Sequence, residues 1–321
     1  MNGFMPNKTF VTRAYNNIAL CTHEGTITKQ STDARLKKES EYYSLLPPDL
    51  RIFFPRKVGS NLVESCHSLT LEYFGYPNLG KLMIDTSTNS KLWKNIGENL
   101  LYILSRFAED TLVVTNSEKC RRDMLIEKTQ REYKNLVCNF EIFQKLAAHQ
   151  KIIINGKEYA NFETLWQQAR PKLQKICTES PFSVVHGDMC FSNILCEPST
   201  GVLRLIDPRG SFGVDGVYGD RIYDAAKLLH SIEGKYELII YDHYDLDYNI
   251  DQGIINYVFK EHKDTTLLRE KIFSDFDENV VRLVMSTIFI GMCARHYDSL
   301  SRQLVMYSTG IKAMTEALEC M

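Results

Sequence analysis

The sequence predicts an α+β protein in two unequal lobes, a small β-rich amino-terminal lobe over 1–75 and a larger, mainly helical carboxy-terminal lobe over 76–321. Three observations carry this. Short alternating apolar runs separated by turn residues fill the first lobe. Stretches with apolar residues at helical spacing dominate the second. One strand–loop–strand insert, "FSVVHGDMCFSNILCEPSTGVLRLIDPRG" from Phe182 to Gly210, interrupts the helices and carries most of the clustered polar groups. The length of 321 residues suffices for two modest cores with a cleft between them.

"TFVTRAY", "NIALCTH" and "GTITKQS" read as three short strands, with "HEG" turning between the last two. A helix follows over about 33–46, with "STD" supplying cap residues and Pro47-Pro48 ending it. "RKVG" and "HSLTLEYFGYPNLG" continue the lobe, the latter a strand that runs into a connector near 71–76. Leu92, Ile96, Leu100, Ile103, Leu104 and Phe107 mark an amphipathic helix over about 88–108. A second helical stretch spans about 117–148. "IIINGKEY" then forms a hairpin turning at Asn155-Gly156. "NFETLWQQARPKLQKI" resumes the helix, with Asn161 as cap and Pro171 as a point where it could kink or split. Beyond about 220 the chain reads as mainly helical again.

Net charge is −2, with 44% hydrophobic and 24% charged residues, so the chain offers no global field for nucleic acid or an anionic membrane. The nine cysteines form no C-x-x-C pair, which predicts free thiols in a reducing cytoplasm. "MNGFMPNKTF" lacks the pattern of a signal peptide. The longest apolar stretch, "LVMSTIFIGMCA", has 12 residues and reads as a buried core helix, being shorter than the ~20 a bilayer needs. The expectation is a cytoplasmic protein without nucleic-acid or membrane partners. The apolar faces of "RQLVMYSTGIKAMTEAL" suit either a core or a homo-oligomer contact.

Within the insert, Asp188 and Asn193 stand in the pattern D-x-x-x-x-N, and Asp207 ends the apolar run "VLRLI" fourteen residues later. An ATP-dependent phosphoryl transfer needs such a set: one carboxylate to take the proton of the attacking hydroxyl, an amide oxygen and a second carboxylate for magnesium. His186, two residues before Asp188, suits holding the loop better than moving protons. The alternative is a set of turn and cap residues in an unrelated α/β protein.

"VVHGDMCFSNIL" followed by "LRLIDPRG" resembles the motif of the aminoglycoside phosphotransferase and choline kinase superfamily, whose members share the protein-kinase-like fold. The resemblance implies catalytic roles at Asp188 and His186, Asn193 and Asp207 as magnesium ligands, and ATP with Mg2+ as cofactors. "GDRIYDAAKLLHS" is similar to a further segment of the family, in which Asp224 would be structural. A kinase fold also needs a lysine on the third strand and a glutamate on the next helix. Lys29 in "GTITKQS" and Glu39 in "ARLKKESEYYSLL" fit, with Glu41 a near competitor; on their own they read as solvated surface groups. The sequence departs from a protein kinase in lacking G-x-G-x-x-G, leaving the Tyr15-Asn16-Asn17 turn as the best candidate to cover the phosphates. "LTLEYFGYPNL" is similar to the hinge, so Glu72 and Tyr73 would offer backbone groups to adenine.

The acceptor is the least legible part. "YELIIYDHYDLDYNIDQG" gathers Tyr241, Tyr244 and Tyr248 with Asp242, Asp245, Asp247 and Asp251, which could cage an ammonium, hydrogen-bond a sugar, or form only a polar surface. Its aspartates imitate a calcium loop, but Ile250 stands where glycine is required. Arg209 and Arg221 could touch a phosphate or pair with Asp220 or Asp224. Cys190 and Cys196 flank the loop as packing residues, Cys190 with some prospect of alkylation. The expected function is a small-molecule kinase acting on a hydroxyl acceptor, first a sugar or sugar derivative, then a choline-type amino alcohol or an aminoglycoside. A nucleotide-binding module without turnover is a further alternative. A protein kinase is excluded, because no A-P-E segment follows Asp207.

Overall fold

The computed structural model describes residues 16–321, apart from the side chains of Asn16 and Lys271. The first expected strand, "TFVTRAY", lies outside these residues. Among the described residues the amino-terminal lobe is a four-stranded antiparallel sheet flanked by one α-helix. Strands β1 (Asn16–Cys21), β2 (Thr26–Ser31), β3 (Lys57–Val63) and β4 (Cys66–Glu72) pair in the order β1-β2-β4-β3. Asn16 and Asn17 face Ser31 and Gln30 within β1, so they are strand residues rather than a turn. Helix α1 (Ala34–Leu45) starts where the Asp33 carboxylate accepts the Arg35 amide at 2.9 Å and stops before Pro47.

After the connector come α2 (Leu79–Ile84) and α3 (Ser90–Glu109), the latter capped by Asn89 and burying Trp93, Ile96, Leu100, Ile103 and Phe107 as the spacing requires. The two-residue strand β5 (Thr111–Leu112) leads to α4 (Ser117–Arg122), a π-turn over Asp123–Glu127, α5 (Lys128–Asn139) and α6 (Glu141–Ala148). The hairpin β6 (Lys151–Ile154) and β7 (Lys157–Ala160) turns at Asn155 (φ 50°) and Gly156 (φ 77°), both left-handed as such a tight turn demands. Helix α7 (Phe162–Ile176) runs unbroken through Pro171. The insert supplies β8 (Phe182–Val184), β9 (Ile194–Cys196) and β10 (Leu203–Leu205), and β11 (Tyr218–Gly219) pairs with β8.

Helices α8 (Arg221–Ile232) and α9 (Tyr236–Ile240) precede a feature the sequence reading missed. "YDLDYN" is not helix or loop but β12 (Tyr244–Asn249), which hairpins with β13 (Ile254–Phe259) and extends the β6–β7 pair to a four-stranded sheet. Strand alternation there sends Tyr244 and Leu246 to one face and Asp245 and Asp247 to the other. Three of the four acids have basic partners, Asp245 in Lys260, Asp251 in Lys145 and Asp242 in Arg302, while Asp247 stands exposed on the outer face of β12, away from Tyr244. The acidic–aromatic cage therefore does not assemble. The short α10 (Arg269–Ile272) leads to α11 (Glu278–Cys293), the buried core helix expected from its apolar run, which packs against α5, α8 and α12 (Leu300–Cys320). Among the described residues no helix is long and apolar enough to cross a membrane. All nine cysteines are free.

Candidate active site

The residues singled out by the insert converge at the junction of the lobes. Lys29, on β2, donates to Glu39 Oε1 on α1 at 2.7 Å, and its ammonium also contacts Asp207 Oδ1. Glu41 instead faces Lys37 one turn along the exposed side of α1. Asp207 adopts a left-handed backbone (φ 58°), turning its carboxylate back toward the sheet lobe. Three residues on, Gly210 (φ 68°) lies so close to α1 that a Cβ would meet the Lys38 carbonyl oxygen at 2.4 Å. Glycine here lets the "DPRG" turn seat directly on the helix that carries Glu39.

Asp188 is half-buried, and its Oδ1 receives the Lys227 ammonium at 2.8 Å. Burial alone would raise this carboxyl, but Lys227, with His186 and Arg209, holds it down at about 2. It therefore stays ionised at any physiological pH. His186 is fully buried. Its Nε2 donates to the Ile206 carbonyl (2.9 Å) and its Nδ1 accepts the Asp188 amide (3.2 Å), the contacts of a neutral imidazole that fixes the loop. Burial lowers it to about 4. Its ring also stacks at 6.0 Å on Phe54 of the amino-terminal lobe. Asn193 donates from Nδ2 to the Asp188 carbonyl at 2.9 Å, which leaves Oδ1 as the side chain's acceptor.

Two buried acids hold this loop from below. Asp224, on α8, accepts the amides of His186 (2.6 Å) and Gly187 (2.8 Å), the structural role expected for it, and burial pushes its carboxyl up to about 7. Glu237, on α9, accepts the Ser192 amide (3.0 Å) and the Ser231 hydroxyl (3.1 Å), and Ser231 in turn accepts the Phe191 amide. Burial pushes Glu237 up to about 7 from an ordinary 4.5. Between those values the folded protein keeps a proton that the unfolded chain releases, so this group's contribution falls as pH rises. Glu237→Gln removes that dependence. In urea unfolding, the variant should gain on wild type by about 1.4 kcal/mol per pH unit between about pH 5 and 7. Parallel curves would show that Glu237 is ionised in the fold.

At the connector, the Glu72 amide donates to the Arg56 carbonyl (2.9 Å) and the Tyr73 amide to Gly25 (2.8 Å), so only their carbonyls remain for a ligand. Neither Arg209 nor Arg221 pairs with Asp220 or Asp224: Asp220 takes Arg121, and Arg221 lies over the Phe276 ring at 4.5 Å. Cys190 is buried against Ser192, which closes it to alkylation. Sequence reasoning missed Lys227 and Glu237. A lone lysine inside the apolar "AAKLLHSI" was the available signal, since a helix buried on that face must match the charge.

This sheet order, the Lys29–Glu39 pair and the loop that follows define the protein-kinase-like fold shared by the small-molecule kinases. The aminoglycoside phosphotransferase APH(4)-Ia superposes on 97% of this chain and 92% of its own at TM-score 0.59 and 10% identity. A thermostable mutant of it in ternary complex with ADP and hygromycin B covers 92% and 86% at TM-score 0.55 and 10% identity. At such identities the likeness establishes the fold, as the motif resemblance implied. The sequence matches no family model and no curated protein.

Proposed function

We propose that the protein is an ATP-dependent small-molecule kinase that transfers the γ-phosphoryl group to a hydroxyl, with a sugar derivative as acceptor. The observation that carries the reading is the Lys29–Glu39 pair set against Asp207, with Asp188 and Asn193 on the adjoining loop. The structural neighbour bound to ADP and hygromycin B supports the same reaction class. Lys29 would neutralise phosphate oxygens, and the carbonyls of Glu72 and Tyr73 would face the adenine. Asp207 and Asn193 Oδ1 form an all-oxygen donor pair of the kind magnesium takes. The Lys29 ammonium resting on Asp207 marks a place that favours positive charge. Magnesium held there would screen the charge of the phosphates.

In the transfer, the acceptor oxygen bonds to the γ-phosphorus as the bond to the bridging oxygen breaks and ADP leaves. The hydroxyl proton passes to Asp188 and then to solvent. A carboxylate held near 2 is a weak base, so Asp188 acts chiefly by orienting the hydroxyl and takes the proton late, as a loose transition state permits. His186 positions the loop and does not touch the substrate.

The test is acceptor-dependent ATP consumption, with magnesium, against sugars, sugar acids, amino alcohols and aminoglycosides. ATP bound without turnover on any of them would favour the regulatory module. Lys29→Met should raise KM for ATP at least about tenfold, the loss expected for one charge-assisted phosphate contact. An unchanged KM would remove Lys29 from the site.

A further inference from the structure

We infer that the acceptor carries an anionic group, a carboxylate or a phosphate, which Lys128 and Arg209 hold beside Asp188. The inference rests on the kinase reading and names its substrate class. It begins on one face of α8. Tyr223 and Lys227 are four residues apart, so they lie one above the other. Lys227 is committed to Asp188. One turn away, Tyr223 receives Lys128 from α5, its Nζ 3.1 Å from the phenol oxygen. Arg209 arrives from the other side. Its amide donates to the His186 carbonyl at 2.9 Å, and its side chain leans on Gly187, where an added Cβ would stand 2.7 Å from Arg209 Cβ.

Among the described residues, neither Lys128 nor Arg209 has an ion-pair partner of its own, although Arg209 adds to the field on Asp188. Asp188 is matched by Lys227, Asp220 by Arg121, and the oxygens of Asp224 serve two backbone amides. Arg209 Nε is buried with no hydrogen-bond partner among the described residues. Arg295, close by, shares Glu132 with Arg131 at 3.4 and 3.5 Å. A buried guanidinium donor left unpaired is costly unless something accepts from it.

The local field shows the same surplus. Burial, with Arg209 and Arg295 adding to it, lowers Lys128 to about 8. Burial would raise the Tyr223 phenol, yet Lys128, Arg209 and Lys227 pull it down to about 8. An anion placed between Lys128 and Arg209 relieves all of these at once. An acceptor bearing ammonium groups meets repulsion there, and three of the four acids of the acidic–aromatic segment that could have attracted it are already paired.

The test pairs matched acceptors: D-gluconate and D-glucuronate against D-glucose, D-glycerate against glycerol, with D-glucosamine and choline as cations. ATP consumption should favour the anionic member of a pair by about tenfold or more in kcat/KM. Lys128→Gln, which keeps a donor for Tyr223, and Arg209→Gln should each raise KM for the anion about tenfold while kcat stays within about threefold. A preference for neutral or cationic acceptors, or an anion KM that neither variant moves, overturns the inference. Thermal stabilisation of the full chain by D-gluconate and by citrate, with a non-hydrolysable ATP analogue and magnesium, gives a readout free of turnover. Saturable stabilisation lost in both variants upholds the anion site even if no acceptor consumes ATP, an outcome that counts against the kinase reading alone. Equal responses in wild type and variants overturn the site whether or not turnover is seen.

Discussion

Asp188→Asn is expected to lower acceptor-dependent kcat by about 10³-fold, within the range found for removal of a positioned acid–base group, while Mg-ATP still binds. Asparagine keeps the shape of the side chain but cannot take the hydroxyl proton, and its amide offers one oxygen where the carboxylate offered two. The same change strips Lys227 of its counter-charge. Lys227 is only 4% exposed, so the single variant should also lose about 1–3 kcal/mol of stability. The double variant Asp188→Asn/Lys227→Met separates the two effects, because it removes the buried charge together with its partner. Thermal unfolding of the double variant should recover toward wild type while its kcat stays low. A double variant that recovers activity would mean that Asp188 serves the fold and not the chemistry.

The second large effect concerns stability. Asp224 is 1% exposed and accepts the amides of His186 and Gly187, so Asp224→Ala leaves two buried donors with nothing to bond. Each such loss costs about 1–3 kcal/mol, partly offset because a desolvated carboxyl is also removed, for a net loss of about 2–4 kcal/mol. In a chain of this size that corresponds to a fall in Tm of about 3–6 °C by calorimetry. Activity should fall with it, because the same two amides set the direction of Asp188. An Asp224→Ala protein that melts like wild type would show that the loop is held by His186 and Glu237 without it.

Part of this site is legible in the amino-acid sequence. The spacing of Asp188, Asn193 and Asp207 between β-rich runs placed three polar groups at strand ends. Lys29 and Glu39 followed from asking what an ATP site requires of a strand and the next helix, and they meet at 2.7 Å. The helices over Ser90–Glu109, Phe162–Ile176 and Glu278–Cys293 were equally legible, since each carries its own cap and apolar face. The β12–β13 hairpin was not. Its alternation over six residues is short, its aspartates and tyrosines suggested a binding loop, and its strand identity comes from pairing with a sheet edge roughly a hundred residues earlier.

The sequence by itself determined the two-lobed outline, the capped helices and the identity of the clustered acids, because caps, periodicity and strand ends are local properties of the chain. Only the tertiary structure decided the charge around those acids. Lys227, Lys128 and Arg209 stand on α8, α5 and the loop after β10, and no spacing in the sequence brings them together. Coulomb interactions act across space with a strength set by burial, so Asp188, Asp224 and Glu237 receive opposite protonation tendencies from neighbours that only folding supplies.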